Sequence, residues 1–363
     1  MHLSLLSLKN FRSYSDLELP LKPGITIFLG RNGEGKTNIV ESVLYLAFLS
    51  SHRTATDQPL VQLGQNSAYV RSKIQQPDRE VIVELEINAD KANRARINQN
   101  PVRSQKELFG LVQCVYFSPE DLDLVRGDPA ERRRFIDQLL TLRSPRLAGV
   151  ITDYERAVRQ RNSLLKSRAG YSSLESWDQQ VAQYGGEIIA ARLSLLRDFE
   201  PVFSDVYKEI SEKKPARITY KCSIDNPSTD PATNTAAMLA KMSEIKGQEI
   251  ERGLTLIGPH RDDLLLHLGD HFVKGYASHG ESWSVALSLK LASYKLLKNE
   301  GASPILILDD VFSELDEERR DQLVELARSA EQTLITVAVE SDLPSELSGE
   351  VFFVKSGSVK VKA

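Results

Sequence analysis

The sequence predicts an α/β fold: a P-loop sheet flanked by helices, joined to antiparallel strands and to a largely helical second lobe. Three observations predict it. Near the amino terminus an apolar strand runs into a glycine-rich turn and then into a helix. From Pro129 about eighty residues carry helical spacing, and beyond them strands and helices alternate again. This order predicts one α/β domain split by an insertion, with its N-terminal and C-terminal pieces paired in one sheet.

The predicted strands are short runs of apolar and β-branched residues that end at polar or glycine-rich turns. Helices are predicted after the glycine-rich turn, through the stretch from Pro129, before LTLIG, after Ser278 and from Glu317. The strands, in chain order, are HLSLLSLKNF, GITIFLG, VRSKIQ, the antiparallel segment REVIVELEINADKANRARINQNPVR, GLVQCVYFS, ARITYKCSI, LTLIGPHRDDLLLHL, HFVKGYA, PILILDD, TLITVAV and EVFFVKSGSVKVKA.

Composition indicates a soluble globular protein. Of the 363 residues 41% are hydrophobic and 26% are charged, which is ordinary for that class. Cys114 and Cys222 show no CxxC spacing, so we expect neither a disulfide framework nor a zinc ribbon. We find no signal peptide and no apolar run of about 20 residues, and we expect a cytoplasmic protein without a membrane role of its own. The net charge of −4 excludes a basic nucleic-acid coat, whereas the excess of Lys and Arg between Arg126 and Arg168 permits DNA binding.

The segment GRNGEGKT, from Gly30 to Thr37, matches the phosphate-loop pattern G-x-x-x-x-G-K-[ST] in full. Its glycines let backbone N–H groups turn inward, and the N-terminus of the following helix adds partial positive charge for phosphate. We expect Lys36 to act on the β- and γ-phosphates as a catalytic contact, and Thr37 to bind Mg²⁺. The predicted nucleotide contacts in this segment are Gly30, Arg31, Asn32, Gly33, Glu34, Gly35, Lys36, Thr37 and Asn38.

A second apolar strand, PILILDD, ends in Asp309 and Asp310. Because a buried parallel strand ends at the carboxyl edge of its sheet, a carboxylate there can hold Mg²⁺ beside the phosphate loop, and we assign that role to Asp309. Asp310 is then placed to polarise the water that attacks the γ-phosphate. The two motifs together predict a site for ATP and Mg²⁺. We expect residues 1–124 and 301–363 to form the ATPase lobe, and residues 125–300 to form the second lobe.

Five segments give the chain a family resemblance: LKNFRSY, GRNGEGKTNIVES, VYFSPEDLDLVRGDPAERRRFID, GPHRDDL and ILDDVFSELDEERR, in that order from Leu8 to Arg320. In these segments the chain resembles the RecF family of bacterial recombinational repair, within the ABC/SMC-type ATPases. The resemblance implies an ABC/SMC-type ATPase head. About eighty residues of short helices cannot supply the long coiled coils of SMC proteins, which favours the RecF family over them.

The resemblance also implies an activity and its partners. It implies a weak ATPase that serves as a conformational switch in DNA repair, DNA replication, the SOS response and recombination. ATP would be sandwiched between two subunits, and the ATP-bound dimer would bind double-stranded and gapped DNA. The implied protein partners are RecR and RecO, with which the protein would load the strand-exchange recombinase at gaps.

The segment Ser278-His279-Gly280-Glu281 stands where the family has its signature, Ser-Gln-Gly-Gln. Ser278 and Gly280 match, so the resemblance implies that they contact ATP held by the other subunit, with Ser278 acting in trans. His279 and Glu281 depart from the pattern, and we assign them no role toward phosphate. We expect Glu281 to turn away from that phosphate or to meet a cation.

Two further family positions have no good match. After TLITVAV the chain has Glu340, where many ABC ATPases have a switch histidine. Gln113, which precedes a predicted strand, is a weak candidate for the glutamine loop.

Several arginines are candidates for contact with DNA or with nucleotide. Arg132, Arg133 and Arg134 cannot share one helix face, because neighbouring residues are about 100° apart, so at least one should face water or phosphate. Arg53 is a further DNA-binding candidate, and both Arg31 and Arg53 could touch nucleotide. In GPHRDD, a buried network of arginine and aspartate competes with a role near the nucleotide or at a dimer contact.

Other activities are less well supported. GESWS lacks the closing glycine of a nucleophile elbow, and His267 and His271 flank a turn, which disfavours a zinc site. The alternative we retain is the ATPase subunit of an ABC membrane transporter, although LKNFRSY and FSPEDL have no place there. A small-molecule kinase would need an acceptor pocket and would not respond to DNA.

Overall fold

The computed structural model describes residues 1–167, 171–211 and 214–362, and the side chains of all of them except 171–173. They form two compact units, Met1–Asp121 with Ser293–Ala363, and Leu122–Ala292. The helices and strands are, in chain order, β1 (His2–Phe11), β2 (Tyr14–Pro20), β3 (Gly24–Leu29), α1 (Lys36–Phe48), β4 (Ser67–Gln75), β5 (Glu80–Asn88), β6 (Arg94–Ile97), β7 (Asn100–Pro101), β8 (Cys114–Phe117), α2 (Asp123–Arg126), α3 (Pro129–Arg143), α4 (Arg146–Ser167), α5 (Tyr171–Ile210), β9 (Ala216–Lys221), α6 (Pro231–Arg252), β10 (Asp263–Leu268), β11 (His271–Phe272), α7 (His279–Asn299), β12 (Ile305–Asp309), α8 (Glu317–Ser329), β13 (Gln332–Val337), β14 (Glu350–Lys355) and β15 (Ser358–Val361).

The first unit contains two six-stranded sheets. One is antiparallel, in the order β2-β1-β4-β5-β6-β7. The other has the order β15-β14-β3-β13-β12-β8, and all its neighbours are parallel except the terminal hairpin. Because β3 and β8 come from the N-terminal piece and β12, β13 and β14 from the C-terminal piece, the predicted pairing of the two pieces in one sheet is confirmed.

The burial of the strands follows their position in these sheets. Every residue of β12 and β13 is buried, as expected for central parallel strands covered on both faces. In β4 and β5 buried side chains alternate with more exposed ones, which is the pattern of a sheet with one solvated face. One apolar core joins α1 with residues of both sheets. This core fixes the loop between β3 and α1 against the carboxyl ends of the parallel strands.

The second unit is largely helical, with a three-stranded sheet in the order β11-β10-β9. Helix α5 packs along both α4 and α6. It is 40 residues long and contains Pro201, so the expectation of only short helices in this stretch was wrong. The predicted strand LTLIGPHRDDLLLHL was also wrong in its first half, because Gly258 has a φ of 114° and the next residue is a proline. Within the described parts of the chain, no helix is both long enough and apolar enough to cross a membrane.

Candidate nucleotide-binding and hydrolysis site

The loop between β3 and α1 has a backbone that only its glycines allow. Gly33 and Gly35 have φ values of 85° and 112°, in the left-handed region that disfavours other residues. A Cβ on Gly35 would also lie 2.9 Å from the hydroxyl of Tyr14, which donates a hydrogen bond of 3.0 Å to the Gly35 carbonyl. A Cβ on Gly30 would meet the backbone of Val354. Neither Gly30 nor Gly35 therefore has room for a side chain.

Lys36 is the buried cation of this loop, with only 3% of its surface exposed. Its Nζ lies 3.5 Å from the Arg31 carbonyl, 3.4 Å from Asn32 Oδ1 and 3.6 Å from Asp310 Oδ2. These distances are long for hydrogen bonds to an ammonium group. The ammonium group is thus surrounded by oxygens that a phosphate could replace.

The other polar side chains of the loop have different environments. Arg31 and Asn32 are exposed. Glu34 accepts hydrogen bonds from the backbone and hydroxyl of Ser356, and these bonds hold its pKa below the usual range. Asn38 donates to Ser13 Oγ over 2.9 Å. Glu34 and Asn38 are thus bonded to other segments, whereas Asn32 contacts Lys36 within the loop.

Asp309 lies at the carboxyl end of β12, beside the start of α1. Its Oδ1 accepts hydrogen bonds from Thr37 Oγ1, at 3.3 Å, and from Thr336 Oγ1. Its Oδ2 accepts from the hydroxyl of Tyr116 at 3.1 Å. Burial raises the pKa of this carboxyl, and the negative charge of Asp310 raises it further, whereas the hydroxyl donors lower it. A nearby cation would favour its charged form.

The oxygens at this edge suit Mg²⁺. A carboxylate and a threonine hydroxyl are hard oxygen ligands, which Mg²⁺ prefers, and the buried carboxylate of Asp309 accepts hydrogen bonds from three hydroxyl groups. The described residues contain no group of three or more His, Cys, Asp or Glu side chains that could hold a metal ion by themselves. Thr37 and Asp309 would therefore hold Mg²⁺ together with the nucleotide, as is usual for this ion.

Asp310 adopts a backbone conformation that is unusual for its type, with φ 49° and ψ 23°. Its N–H donates to Thr336 Oγ1 over 3.0 Å, and its side chain is 31% exposed. The left-handed turn directs the carboxylate toward Lys36 rather than along the strand. The structure thus brings together the lysine and threonine of the phosphate loop and the two aspartates, as the sequence motifs predict: Lys36, Thr37, Asp309 and Asp310.

The signature segment, Ser278 to Glu281, begins helix α7 with a reciprocal cap. Glu281 N–H donates to Ser278 Oγ over 3.2 Å, and Ser278 N–H donates to Glu281 Oε2 over 2.9 Å. The pattern Ser-x-x-Glu is that of a capping box, so this contact could have been predicted from sequence. Lys214 Nζ lies 2.9 Å from the other oxygen of Glu281. The expectation that Glu281 meets a cation is confirmed.

The charge of Glu281 is well stabilised. The hydrogen bond from Lys214, followed by those from the backbone and side chain of Ser278, lowers the pKa of Glu281 from 4.5 to about 2. His279 is exposed, and Gly280 is partly exposed. The departure from the family pattern at Glu281 therefore preserves the helix cap, because Glu and Gln both serve at this position of a capping box.

One of the segments that carry the family resemblance supports this helix. Arg126 Nε donates to Ser282 Oγ over 3.3 Å, and Ser282 Oγ donates to the Ser278 carbonyl over 2.8 Å. Lys274, in the turn before the signature, donates to the Gly127 carbonyl over 2.8 Å. The motif LVRGDP is thus bonded to the start of α7.

The two aspartates of GPHRDD enter a buried network with arginines of α3, which was one of the two interpretations of the segment, whereas its own Arg261 is exposed and lies outside that network. Arg132 makes a two-pronged contact with Asp263, at 2.8 and 3.0 Å, and Arg133 donates to the Asp262 carbonyl at 2.9 Å. Asp262 is buried and accepts from Ser223 N–H over 2.7 Å. Arg261 donates two hydrogen bonds to the Thr255 carbonyl, at 3.1 and 2.9 Å.

The DNA-binding candidates fall into two groups. Arg132 is only 5% exposed, and Arg133 is partly buried against Asp262, so neither side chain is open to a DNA phosphate in this structure. Arg134 is 53% exposed and has a surface ion pair of 3.1 Å with Glu131. The prediction that at least one of the three faces water is confirmed. Arg53 is 45% exposed, although it donates to Asn38 Oδ1 over 3.0 Å.

Sequence reasoning missed Tyr116 and Thr336, which both bond Asp309. Thr336 belongs to no motif, and the segment VYFSPEDL, which contains Tyr116, gives that residue no role. Only the strand register places the two residues beside Asp309: Asp309 lies opposite Thr336, and Leu308 lies opposite Phe117. Gln113 precedes β8 and so lies at the amino end of that strand, away from the phosphate loop. Glu340, after β13, pairs with Lys362 at 2.8 Å.

This arrangement defines the class of protein. The family model described as RecF/RecN/SMC N terminal domain matches residues 2–355, and the chain belongs to this class of ABC/SMC-type ATPase heads. Structures of SMC heads share the fold at lower similarity: the SMC head bound to the C-winged helix domain of ScpA has a TM-score of 0.58 at 16% identity, covering 100% of this chain and 97% of that one.

Within that class the chain belongs to the RecF family of DNA replication and repair proteins. It is 48% identical to the DNA replication and repair protein RecF of Streptomyces avermitilis, covering 99% of this chain and 100% of that protein. It is 47% identical to that of Frankia alni, covering 99% of each. The solved structures of the recombination mediator protein RecF with ATPrS and with ATP each have a TM-score of 0.91 at 26% identity, covering 100% of this chain and 98% of theirs. The alternative of a transporter subunit is not favoured.

Proposed function

We propose that this protein is an Mg²⁺-dependent ATPase of recombinational repair that uses weak hydrolysis as a switch for dimerisation on DNA. The observation that carries the proposal is the gathering of Lys36, Thr37, Asp309 and Asp310 at one edge of the parallel sheet. The solved structures of related RecF proteins with ATP support ATP as the ligand. Bound Mg²⁺ would neutralise charge on the β- and γ-phosphates.

Lys36 changes partner when ATP binds. Its ammonium group now lies 3.6 Å from Asp310 and would move to the oxygens of the β- and γ-phosphates. Asp310 is then released to accept a hydrogen bond from the attacking water and to orient it in line with the γ-phosphate. Thr37 and Asp309 would hold the Mg²⁺. Backbone N–H groups from Gly33 onward contact the phosphates.

The second half of the site comes from another copy of the chain. Ser278 Oγ accepts a hydrogen bond from Glu281 N–H, and its own hydroxyl proton, which faces the Glu281 carboxylate, would turn to a phosphate oxygen of the partner's nucleotide. The N-terminus of α7 and the backbone at Gly280 add further positive potential. The negative charge of Glu281 does not prevent this contact with phosphate, because its carboxylate is bonded to Lys214 and to the Ser278 backbone. ATP would thus bridge two subunits.

The ATP-bound dimer would bind double-stranded and gapped DNA. Arg53 and Arg134 are the exposed members of the predicted set, and contacts with phosphate rather than with bases would make the affinity depend steeply on salt. RecR and RecO are the proposed protein partners, and the RecFOR pathway named for the related structures supports them. The place of action would be the cytoplasm, where the complex loads the recombinase at gaps.

The test is the rate of ATP hydrolysis per subunit, measured over a range of protein concentrations with and without duplex DNA. A composite site predicts a steep rise of the specific rate with concentration, and DNA should shift that rise to lower concentration. A specific rate that is independent of both concentration and DNA would contradict the switch. DNA retention in ATP and in ADP provides the second measurement, and equal retention would also contradict it.

A further inference from the structure

The hydroxyl of Tyr116 forms a hydrogen bond with Asp309 to which the sequence analysis assigned no role. It lies 3.1 Å from Asp309 Oδ2 and 3.3 Å from Nε2 of His52. The rings of His52 and Tyr116 are tilted against each other, with centroids 4.9 Å apart. Three residues from three separate segments therefore form one hydrogen-bonded chain that ends on the proposed metal ligand.

The hydrogen bonds that link His52, Tyr116 and Asp309 all run in one direction, toward Asp309. A tyrosine hydroxyl has one proton, and the charged carboxylate is the stronger acceptor. Tyr116 therefore donates to Asp309, and His52 Nε2 must carry a proton and donate to the Tyr116 oxygen. The tautomer of His52 is thus fixed by its place in the chain.

The residues on either side of His52 contact helix α1. Ser51 Oγ donates to Glu41 Oε1 over 2.6 Å, and Arg53 lies 3.4 Å from Glu41 Oε2. Glu41 is fully buried in α1, and Arg12 binds both of its oxygens, at 2.6 and 2.9 Å. The residues on either side of His52 are therefore anchored to the helix that follows the phosphate loop.

We propose that Tyr116, oriented by His52, is a positioning residue that fixes the Asp309 carboxylate for Mg²⁺. With Oδ2 held by the tyrosine, the carboxylate cannot rotate about its axis, and Oδ1 stays beside the Thr37 hydroxyl, 3.3 Å away. Residues that hydrogen-bond to metal ligands in this way orient them and raise metal affinity. The inference rests on the proposed function, because it assumes that Asp309 serves a metal ion bound with nucleotide.

The test uses Mn²⁺ as a paramagnetic probe of the Mg²⁺ site, in the full chain saturated with the slowly hydrolysed analogue ATPγS. Free Mn²⁺, measured by electron paramagnetic resonance, gives the metal affinity without any turnover. Tyr116→Phe, which removes only the hydroxyl, should weaken Mn²⁺ binding about 10-fold. Binding of ATPγS in excess EDTA should stay unchanged, since the lysine and the loop backbone are intact.

Tyr45→Phe is the matched control, because Tyr45 is also buried and its hydroxyl accepts a 3.1 Å hydrogen bond from Asn93, away from the carboxylate. This variant should bind Mn²⁺ as the unmodified protein does. His52→Leu should weaken Mn²⁺ binding in the same direction as Tyr116→Phe but less. His52→Gln should restore part of the affinity, since its amide can still donate to the tyrosine.

The outcomes separate the inference from the proposed function. If the unmodified protein binds no Mn²⁺ with ATPγS, the proposed function itself is wrong. If it binds Mn²⁺ and Tyr116→Phe binds it equally well, the positioning role is wrong while the function stands. Should Tyr116→Phe fail to fold, as judged by its melting curve without nucleotide, the comparison of His52→Leu with His52→Gln decides. Equal Mn²⁺ affinity in those two variants would overturn the inference.

Discussion

Around the phosphate loop, Lys36 and Asp309 are 3% and 5% exposed, whereas Ser278 and His279 in the signature segment are exposed to solvent. The first region draws its side chains from distant segments and buries them at the edge of a sheet. The second is a local helix cap, stabilised within four residues and by Lys214. The difference teaches that the protein can complete one half of its proposed site by folding, but must leave the other half accessible to a second molecule.

The largest expected effect is the loss of ATP hydrolysis when either the phosphate loop or the signature segment is mutated. Lys36→Arg should lower hydrolysis at least about 100-fold, because a larger planar cation cannot occupy the buried position of the ammonium group that stabilises the transition state. Ser278→Arg should be equally inactive, since it blocks the approach of a partner's phosphate. Single-turnover hydrolysis by each purified variant checks both. Lys22→Arg, at a surface position 75% exposed, and Ser104→Arg, at another capping box, are the controls and should remain active.

Mixing the two inactive variants tests whether the regions act across subunits. A dimer with one Lys36→Arg chain and one Ser278→Arg chain contains one site in which both halves are intact, if each site combines two chains. Random mixing should then restore about a quarter of the original activity. If each chain used its own signature, no site would be intact and the mixture would stay inactive. An inactive mixture would contradict the arrangement in which ATP is sandwiched between two subunits.

The two regions also differ in how far sequence can predict them. The contacts of Gly30 to Thr37 and the place of Asp309 follow from local motifs, because strand, turn and helix suffice to position them. Tyr116 and Thr336 could not be predicted, since their approach to Asp309 depends on the register of three parallel strands. The cap of Ser278 by Glu281 is local and was predictable in principle.

In the second unit too, the contacts that could not be predicted from sequence join segments far apart in the chain. Lys214 is 67 positions from Glu281, and nothing in the sequence pairs them. Helix geometry required that the three arginines from Arg132 point in different directions, but not which of them would be buried. Burial of Arg132 is decided by Asp263, which arrives from a strand 131 positions away.

A smaller effect is expected from the signature cap. Glu281→Ala should lower the free energy of unfolding by about 1 kcal/mol, because it leaves the Ser278 N–H without its partner. Glu281→Gln should lower it less, since the amide oxygen can still accept that bond. Urea unfolding of both variants, with Glu107→Ala in the other capping box as the control, checks this. Only the Glu281 variants should also weaken ATP-dependent dimerisation.

The contribution of the Glu281 charge has a definite pH dependence. The fold lowers the pKa of this carboxyl from 4.5 to about 2, so its stabilising effect is fully present above about pH 4.5 and is lost as the pH falls toward 2. The stability difference between the unmodified protein and Glu281→Gln should shrink over that interval. A difference that stays constant between those pH values would show that Glu281 contributes through its shape and not through its charge.

The smallest effect on function is expected at Arg134, and the contrast between buried and accessible side chains separates it from its neighbour Arg132. Arg134→Gln should reduce the salt dependence of DNA affinity by a slope of about 1, because it removes one phosphate contact. Arg132→Gln should leave that slope unchanged and instead destabilise the fold by about 3 kcal/mol, since Asp263 loses its buried partner. DNA affinity titrated over a range of salt concentrations, together with urea unfolding, distinguishes the two. A lowered slope for a folded Arg132→Gln would mean that this arginine leaves its network to bind DNA.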